Sequence, residues 1–191
     1  MRWLLLAVFA IALPAAAAAP VPKHLMPKGS QMSFPIQVGT TWVYETPQGE
    51  KTVVIIESKE QNGTTVTTSM FVQPDGKKAP HQVLSISDTG VFVISIGDTH
   101  YAEPWCLVKF PYRENETWIV KKGVAGDGVY TAGPFEKLKV PAGHFTAARI
   151  SYNGTLMKPG MIVGTYWYAH GIGLVNSCDA FKLKSFTPGK G

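Results

Sequence analysis

Cysteine is scarce in this chain, with two residues in 191, and charged side chains make up only 16% of it. A scaffold stapled by several disulfides is therefore excluded, and the chain must fold around an apolar core. The net charge is +5, and the lysines and arginines are spread along the chain, with short pairs at Lys77-Lys78 and Lys121-Lys122. So weak and dispersed a positive charge does not predict a nucleic-acid partner.

Motifs of known catalytic chemistry are also missing. The sequence has no Gly-x-Ser-x-Gly, Cys-x-x-Cys, His-Glu-x-x-His or Gly-Lys-Ser/Thr motif, which are the patterns of common hydrolases, redox proteins, zinc proteases and phosphate loops. The glycine-rich stretch 123–133 lacks the strand, helix and lysine that a phosphate loop needs, so we interpret it as a hairpin. We expect no catalytic residue and no cofactor.

Five histidines raise the question of a metal site: His24, His81, His100, His144 and His170. Zinc needs three or four ligands that converge on one point. The nearest approach in sequence is His100 with Glu103 and Cys106, which could converge only if Pro104 turns the segment. We expect no metal, although folding could bring His144 and His170 together.

The first twenty residues have the features of a secretory signal peptide. Arg2 is followed by an apolar run from Leu4 to Leu13 and by small residues from Ala15 to Ala19. The apolar run is about half the length of a membrane-spanning helix, so a retained anchor is the weaker alternative. We predict cleavage near residue 19, which leaves about 172 residues (191 − 19) with no stable membrane span in the periplasm or outside the cell.

In such an oxidising compartment, the pair Cys106 and Cys178 is a candidate disulfide. The alternative is two separate thiols, one or both of them buried. Neither cysteine lies near the cleavage region, so attachment of a lipid there is not expected.

The mature chain shows turn signals about every ten residues between apolar and β-branched runs. This pattern predicts an all-β, single-domain protein of about ten antiparallel strands, as a curved sheet, a sandwich or a half-barrel. Residues 20–33 are expected to form an extended linker, 34–187 the β-domain and 188–191 a loose tail.

Two Asn-Gly pairs predict two-residue hairpins. The turn at Asn62-Gly63 would place Ile55 opposite Met70, Val54 opposite Phe71 and Val53 opposite Val72. The turn at Asn153-Gly154 would place Ile150 opposite Met157.

A phrase of the form Phe-Pro-x5-Thr-Trp occurs twice, at residues 34–42 and 110–118, with an offset of 76. Four matches in nine positions are too few to prove a repeat. Each half of the chain also contains a glycine that opens an apolar run ending in serine, at Gly90 and Gly173. We interpret these as two related sheet halves, in which Thr-Trp opens a strand and the indole is buried.

Aromatic residues cluster at Tyr166, Trp167 and Tyr168, just before His170. In a strand the two tyrosines share one face, and Trp167 points to the other. If Trp167 lies in the core, the tyrosines, with Tyr152 and His170, form a candidate face for a sugar ring or an acyl chain. A sheet packed on both sides would give the same pattern.

The phrases FPIQVGTTWVYE, FPYRENETW, VPAGHFTAARI and TYWYAHGIGLV together resemble a group of exported bacterial proteins sometimes labelled TapB-like, over about residues 34–186. The resemblance implies one β-rich domain, export across the inner membrane and no agreed activity. His144 and His170 depart from the family pattern, which usually has Thr and Pro there.

Together, these features lead us to expect a non-enzymatic exported β-domain that binds a lipid, a glycan or an envelope protein. One alternative is an extracytoplasmic hydrolase that uses histidines and carboxylates brought together by folding. Another is a structural component of the cell envelope that assembles through a free sheet edge.

Overall fold

A computed structural model describes residues 32–123, 126–154, 162–178 and 180–190. Apolar residues alternate with polar ones along most of these segments, which is the pattern of strands buried on one face. The described residues accordingly form twelve strands: β1 Thr41–Thr46, β2 Gly49–Gln61, β3 Thr64–Val72, β4 Lys78–Ser87, β5 Gly90–Ile96, β6 Thr99–Lys109, β7 Thr117–Gly123, β8 Gly126–Val140, β9 Gly143–Gly154, β10 Ile162–Ala169, β11 Gly173–Ser177 and β12 Phe181–Thr187.

All twelve strands belong to one antiparallel sheet in the order β6-β5-β4-β3-β2-β1-β12-β11-β10-β9-β8-β7. The sheet is nearly closed as a barrel, with the edge strands β6 and β7 close to each other. The predicted all-β antiparallel class is confirmed. The prediction of about ten strands, with a half-barrel as one arrangement, roughly fits the twelve strands described. Two further reversals lie at Gly97, where φ is +55°, and at Gly171, where φ is +68°.

The sheet consists of two six-stranded meanders, β1–β6 and β7–β12, joined by the pairing of β1 with β12. Each copy of the Phe-Pro-x5-Thr-Trp phrase leads into the first strand of a meander, which Thr41 opens in one half and Thr117 in the other. The two glycine-led runs are the fifth strands of their halves, β5 and β11. The repeated phrases therefore mark equivalent positions in the two halves.

The hairpin at Asn62-Gly63 forms as predicted, with φ of +52° and +74° at the two residues. Near the turn the register agrees with the prediction, since Gln61 pairs with Thr64. A β-bulge at Ile56 then shifts the pairing by one residue. As a result, the three predicted apolar rows are wrong: Ile55 pairs with Ser69, Val54 with Met70 and Val53 with Phe71.

The second predicted hairpin is wrong. Asn153 and Gly154 belong to β9, where they pair with Val129 and Gly128 of β8. Ile150 lies opposite Tyr166, not Met157. The strand continues through Asn-Gly because β8 supplies a ladder for both residues, and Met157 itself falls outside the described residues.

The predicted disulfide is absent, because Cys106 and Cys178 are both free thiols. Cys106 lies in β6, whereas Cys178 follows β11, and even by the shorter way around the nearly closed sheet four strands separate β6 from β11. At a strand spacing of about 4.8 Å, this far exceeds the roughly 7 Å between Cα atoms that a disulfide spans. The Cys178 thiol instead accepts a hydrogen bond from the Thr165 N–H at 2.7 Å.

The packed chain begins before the predicted boundary at residue 34. Met32 is buried in the core, and the Ser33 carbonyl accepts a hydrogen bond from the Gly171 N–H at 2.9 Å. The residues after β12 are not wholly loose, since the Gly189 N–H donates to Thr40 Oγ1 at 3.0 Å. The predicted signal peptide and most of the linker lie outside the described residues. Within the described ranges, no helix is long and apolar enough to cross a bilayer.

Candidate functional site

The inner face of the sheet surrounds a cavity of about 440 Å³. This volume is within the range of small-molecule sites, about 300 to 1,000 Å³. Most lining side chains are aromatic or aliphatic, and the described lining contains no Asp, Glu, Lys or Arg. The cavity can therefore solvate an apolar molecule but offers no counter-charge to an ion.

One wall of the cavity is built from tyrosines of the second meander: Tyr130, Tyr152, Tyr166 and Tyr168. Tyr130 of β8 lies directly opposite Tyr152 of β9, with their ring centroids 4.7 Å apart. The Tyr166 ring covers Gly164, where an added Cβ would come within 2.8 Å of the Tyr166 hydroxyl oxygen. Burial raises the pKa of Tyr130, Tyr166 and Tyr168 above the ordinary value, so these phenols stay neutral.

Three of the four residues of the predicted ligand face, Tyr152, Tyr166 and Tyr168, thus line the cavity. The fourth, His170, lies in the turn after β10 and outside the lining, with its ring nitrogens within 3.4 Å of Ser33 Oγ. Trp167 takes the opposite face from the tyrosines, as alternation requires. Its indole is half-buried away from the cavity and donates to Glu136 Oε2 at 2.9 Å.

The opposite wall carries a polar patch from β3 and β4, defined by Thr67, Ser69, His81 and Gln82. Ser69 pairs with Gln82 and Met70 with Pro80, so His81 is the extra residue of a β-bulge. A bulge leaves one residue outside the ladder and redirects its side chain. This bulge places the His81 ring at the cavity, where it packs against Phe71 with ring centroids 4.3 Å apart.

The hydrogen bonds of Ser69 define the state of His81. Ser69 Oγ lies 3.0 Å from the Gln82 carbonyl oxygen and 3.0 Å from His81 Nδ1. The hydroxyl has one proton and a carbonyl can only accept, so Ser69 donates to Gln82 and Nδ1 of His81 donates to Ser69. Burial lowers the pKa of His81 to about 4, so the ring is neutral near pH 7.

Aromatic rings also bridge the gap between the two edge strands. Trp105 of β6 and Trp118 of β7 both stack on Tyr130, with ring centroids 6.0 Å and 5.7 Å away. The Trp118 indole N–H donates to the Cys106 carbonyl of β6 at 2.9 Å. The buried Trp105 Nε1 lies near the Tyr101 phenol but has no hydrogen-bond partner among the described residues.

The first Phe-Pro phrase covers part of the cavity. Phe34 and Pro35 belong to the lining, and the Phe34 ring lies 5.6 Å from the Tyr168 ring. Trp42, which ends this phrase, is buried, and its indole N–H donates to the Ile172 carbonyl at 2.6 Å. The predicted burial of the indole is thus seen at Trp42, whereas Trp118 is half-buried.

The other candidate metal or catalytic residues are dispersed. His100 and His144 are exposed, and neither lines the cavity. Within the described residues, no three side chains of His, Cys, Asp or Glu lie close enough to share a metal ion. His24 lies outside the described residues.

Sequence reasoning missed the His81–Ser69 pair. The two residues are twelve positions apart in the chain, with a turn between them, and this spacing matches no known motif. A usable indication was Pro80, which cannot donate to a ladder and therefore favours a bulge beside His81.

Comparisons with known proteins add no established relative. No family model matches the chain, and no curated protein matches it. A proposed exported protein with a YmcC-like fold from Bacteroides fragilis is similar at 17% identity and TM-score 0.48, over 82% of this chain and 99% of that one. A proposed lipoprotein from Parabacteroides distasonis is similar at 15% identity and TM-score 0.45, over 84% and 100% of the two chains. The TapB-like resemblance is not confirmed by these matches.

Proposed function

We propose that this protein is an exported, non-enzymatic domain that binds a lipid-like molecule in the cavity of its sheet. The observation that carries the proposal is the cavity of about 440 Å³ with a mainly aromatic and aliphatic lining. Burying an apolar chain there would gain roughly 25 cal/mol per Å² of surface removed from water. The N-terminal sequence of Arg2, an apolar run and small residues supports export.

Lipid-like molecules fit this cavity better than the other two partners that we considered. A glycan presents hydroxyl groups on all sides, whereas the polar groups of this lining are mainly those of the polar patch and the phenols of the tyrosine wall, and most of the remaining lining is aromatic or aliphatic. An envelope protein would need an exposed contact surface, whereas the tyrosine wall faces the interior.

The Ser69–His81 pair supports binding rather than hydrolysis. A serine nucleophile needs a base that takes its proton. Here the Ser69 proton points to the Gln82 carbonyl, and a histidine with a pKa near 4 is a weak base at neutral pH. The described lining also contains no carboxylate that could orient His81.

Titration of the purified mature protein with N-phenyl-1-naphthylamine, an uncharged apolar fluorophore, tests binding in the cavity. We expect saturable fluorescence enhancement with one site per chain. Leu84→Trp, which adds bulk to the lining, should weaken binding at least tenfold. The matched control is Val129→Trp at an exposed position, which should bind like wild type. Absence of saturable binding, or equal loss in both variants, would refute the proposal.

Export is tested separately. We expect fractionation of the native host to place the protein outside the cytoplasm, with a mature N-terminus near residue 20. An intact N-terminus in the cytoplasm would contradict export without bearing on the cavity.

A further inference from the structure

The polar patch gives the cavity one well-defined acceptor. Because the Ser69 proton is directed to the Gln82 carbonyl, His81 carries its proton on Nδ1. Nε2 of His81 is then a lone-pair acceptor, and it has no hydrogen-bond partner among the described residues. The ring lines the cavity, so a bound molecule can reach this acceptor.

From this geometry we infer that the cavity selects an uncharged amphiphile whose hydroxyl group donates a hydrogen bond to His81 Nε2. This inference rests on the proposed function, since it names the class of lipid-like ligand that the same cavity would hold. The polar patch on β3 and β4 receives the head of the ligand, and its chain lies along the aromatic wall.

An anionic head is disfavoured at this position. A carboxylate has no proton for the His81 lone pair, and the described lining has no Lys or Arg to neutralise it. Transfer of an unpaired charge from water into such surroundings costs several kcal/mol. The neutral phenols of the tyrosine wall can donate hydrogen bonds, but they bring no positive charge.

A cationic head is also disfavoured. An ammonium group has three N–H donors, and His81 Nε2 satisfies one of them. The described lining has no carboxylate for the charge. An alcohol donates its single proton to His81 and remains neutral.

The indole N–H of Trp105 agrees with an oxygen-bearing ligand. Trp105 is 7% exposed and lines the cavity, and the Tyr101 phenol lies beside its Nε1 without a well-formed hydrogen bond. A hydroxyl or ester oxygen of a ligand can accept from this donor, whereas a plain hydrocarbon cannot.

Three ligands with the same ten-carbon chain test the inference: decan-1-ol, decanoate and decylammonium, each titrated against the mature protein at pH 7.5 with N-phenyl-1-naphthylamine as the displaced probe. We expect decan-1-ol to bind about tenfold tighter than either ion, the worth of one good hydrogen bond. Decanoate or decylammonium binding as tightly as the alcohol would overturn the inference and leave the proposed function intact. If the fluorophore itself fails to bind, the proposed function fails.

Two variants test the role of His81. His81→Phe keeps an aromatic ring without an acceptor and should lose the preference for the alcohol, whereas His81→Gln keeps an acceptor and should retain much of it. The preference is the ratio of two affinities measured in the same variant, so a change in fluorophore binding does not affect it. Val129→Trp, at an exposed position outside the lining, is the control and should keep the preference for the alcohol. Should a variant not fold, the ring nitrogen shifts of wild-type His81 in a long-range ¹H–¹⁵N correlation spectrum decide: a protonated Nδ1 supports the inference, and a protonated Nε2 overturns it.

Discussion

In the first meander, β3 and β4 bring hydroxyl, amide and imidazole groups to the cavity, whereas β9 and β10, the third and fourth strands of the second meander, bring tyrosine rings. The two walls face each other because four strands of the nearly closed sheet separate them on each side. Strand order and the opening phrases are shared, but the inner side chains are not. The repeat therefore specifies the architecture, and the differences between the halves specify the chemistry of the cavity.

The largest difference between the two halves should be the stability lost when an inner side chain is shortened. Ile150 of β9 is fully buried, whereas Leu84 of β4 is half-buried beside the cavity. Ile150→Ala should lower the free energy of unfolding by about 2 to 5 kcal/mol. Leu84→Ala should cost about half as much, because it only enlarges an existing space. Urea titration measures both, and equal losses would contradict the comparison.

His81 of the polar patch should make the free energy of unfolding depend on pH. The pKa of His81 falls from 6.5 in the unfolded chain to about 4 in the fold. Below pH 6.5 the His81 side chain takes up a proton in the unfolded chain but not in the fold. The free energy of unfolding is therefore highest above pH 6.5 and decreases as the pH falls towards 4. The loss is about 3 kcal/mol over this interval. The described lining holds no Asp, Glu, Lys or Arg, and the Phe71 ring that packs against His81 has Lys51 Nζ 5.5 Å from its centre.

His81→Gln is the control for this prediction, because wild type and variant share every titratable group except His81. The difference between the two stability curves should fall between pH 6.5 and 4 and be flat outside that interval. A constant difference across the interval would show that His81 is not buried as neutral imidazole.

The two opening tryptophans should differ in a third test. Trp42→Phe leaves the Ile172 carbonyl without its donor in a buried place, at a cost of about 1 to 3 kcal/mol. Trp118→Phe should cost about 1 kcal/mol, because its half-buried position lets water reach the Cys106 carbonyl. Thermal or urea unfolding measures the loss of stability in each variant. A larger loss for Trp118→Phe than for Trp42→Phe would contradict the prediction that the indole of the first half is the more tightly packed.

The two thiols should also differ, with the smallest effect on stability. Cys178 is exposed, whereas burial raises the pKa of the half-buried Cys106 to about 11. An aromatic disulfide reagent at pH 8 should modify Cys178 at least tenfold faster than Cys106. Both should react in unreduced protein after unfolding. Finding no reactive thiol there would restore the disulfide that the sequence suggested.

The sequence predicted those features that depend on local chemistry. Asn62-Gly63 prefers positive φ at both residues, and the strand opening at Thr-Trp follows from its two occurrences. The register beyond Ile56 could not be predicted, because no proline or glycine near Ile56 distinguishes a bulge there from regular pairing. The hairpin prediction at Asn153-Gly154 failed for a related reason. A pair of residues that favours a turn can instead continue a strand when the neighbouring strand, here β8, supplies hydrogen-bond partners.

Part of the candidate site was predictable because side-chain alternation along a strand is also a local feature. Alternation along β10 placed Tyr166 and Tyr168 on one face, and both residues line the cavity. The polar patch depends on a bulge at His81 and on the pairing of β3 with β4, which are tertiary features. His170 was included because it follows the tyrosines in sequence, but the turn after β10 takes it out of the lining.

The close approach of β6 and β7 bears on how this molecule behaves among its own copies. An exposed edge strand carries unpaired N–H and C=O groups that can pair with a strand of another chain, and native proteins usually block such pairing. Here the two edge strands, β6 and β7, lie beside each other. The Trp118 indole and the ion pair of Lys109 with Glu116, at 2.6 Å, connect them. Strand-by-strand polymerisation would first have to separate these two edges, so the fold favours a separate molecule over a fibrous assembly of the kind considered for a structural envelope component.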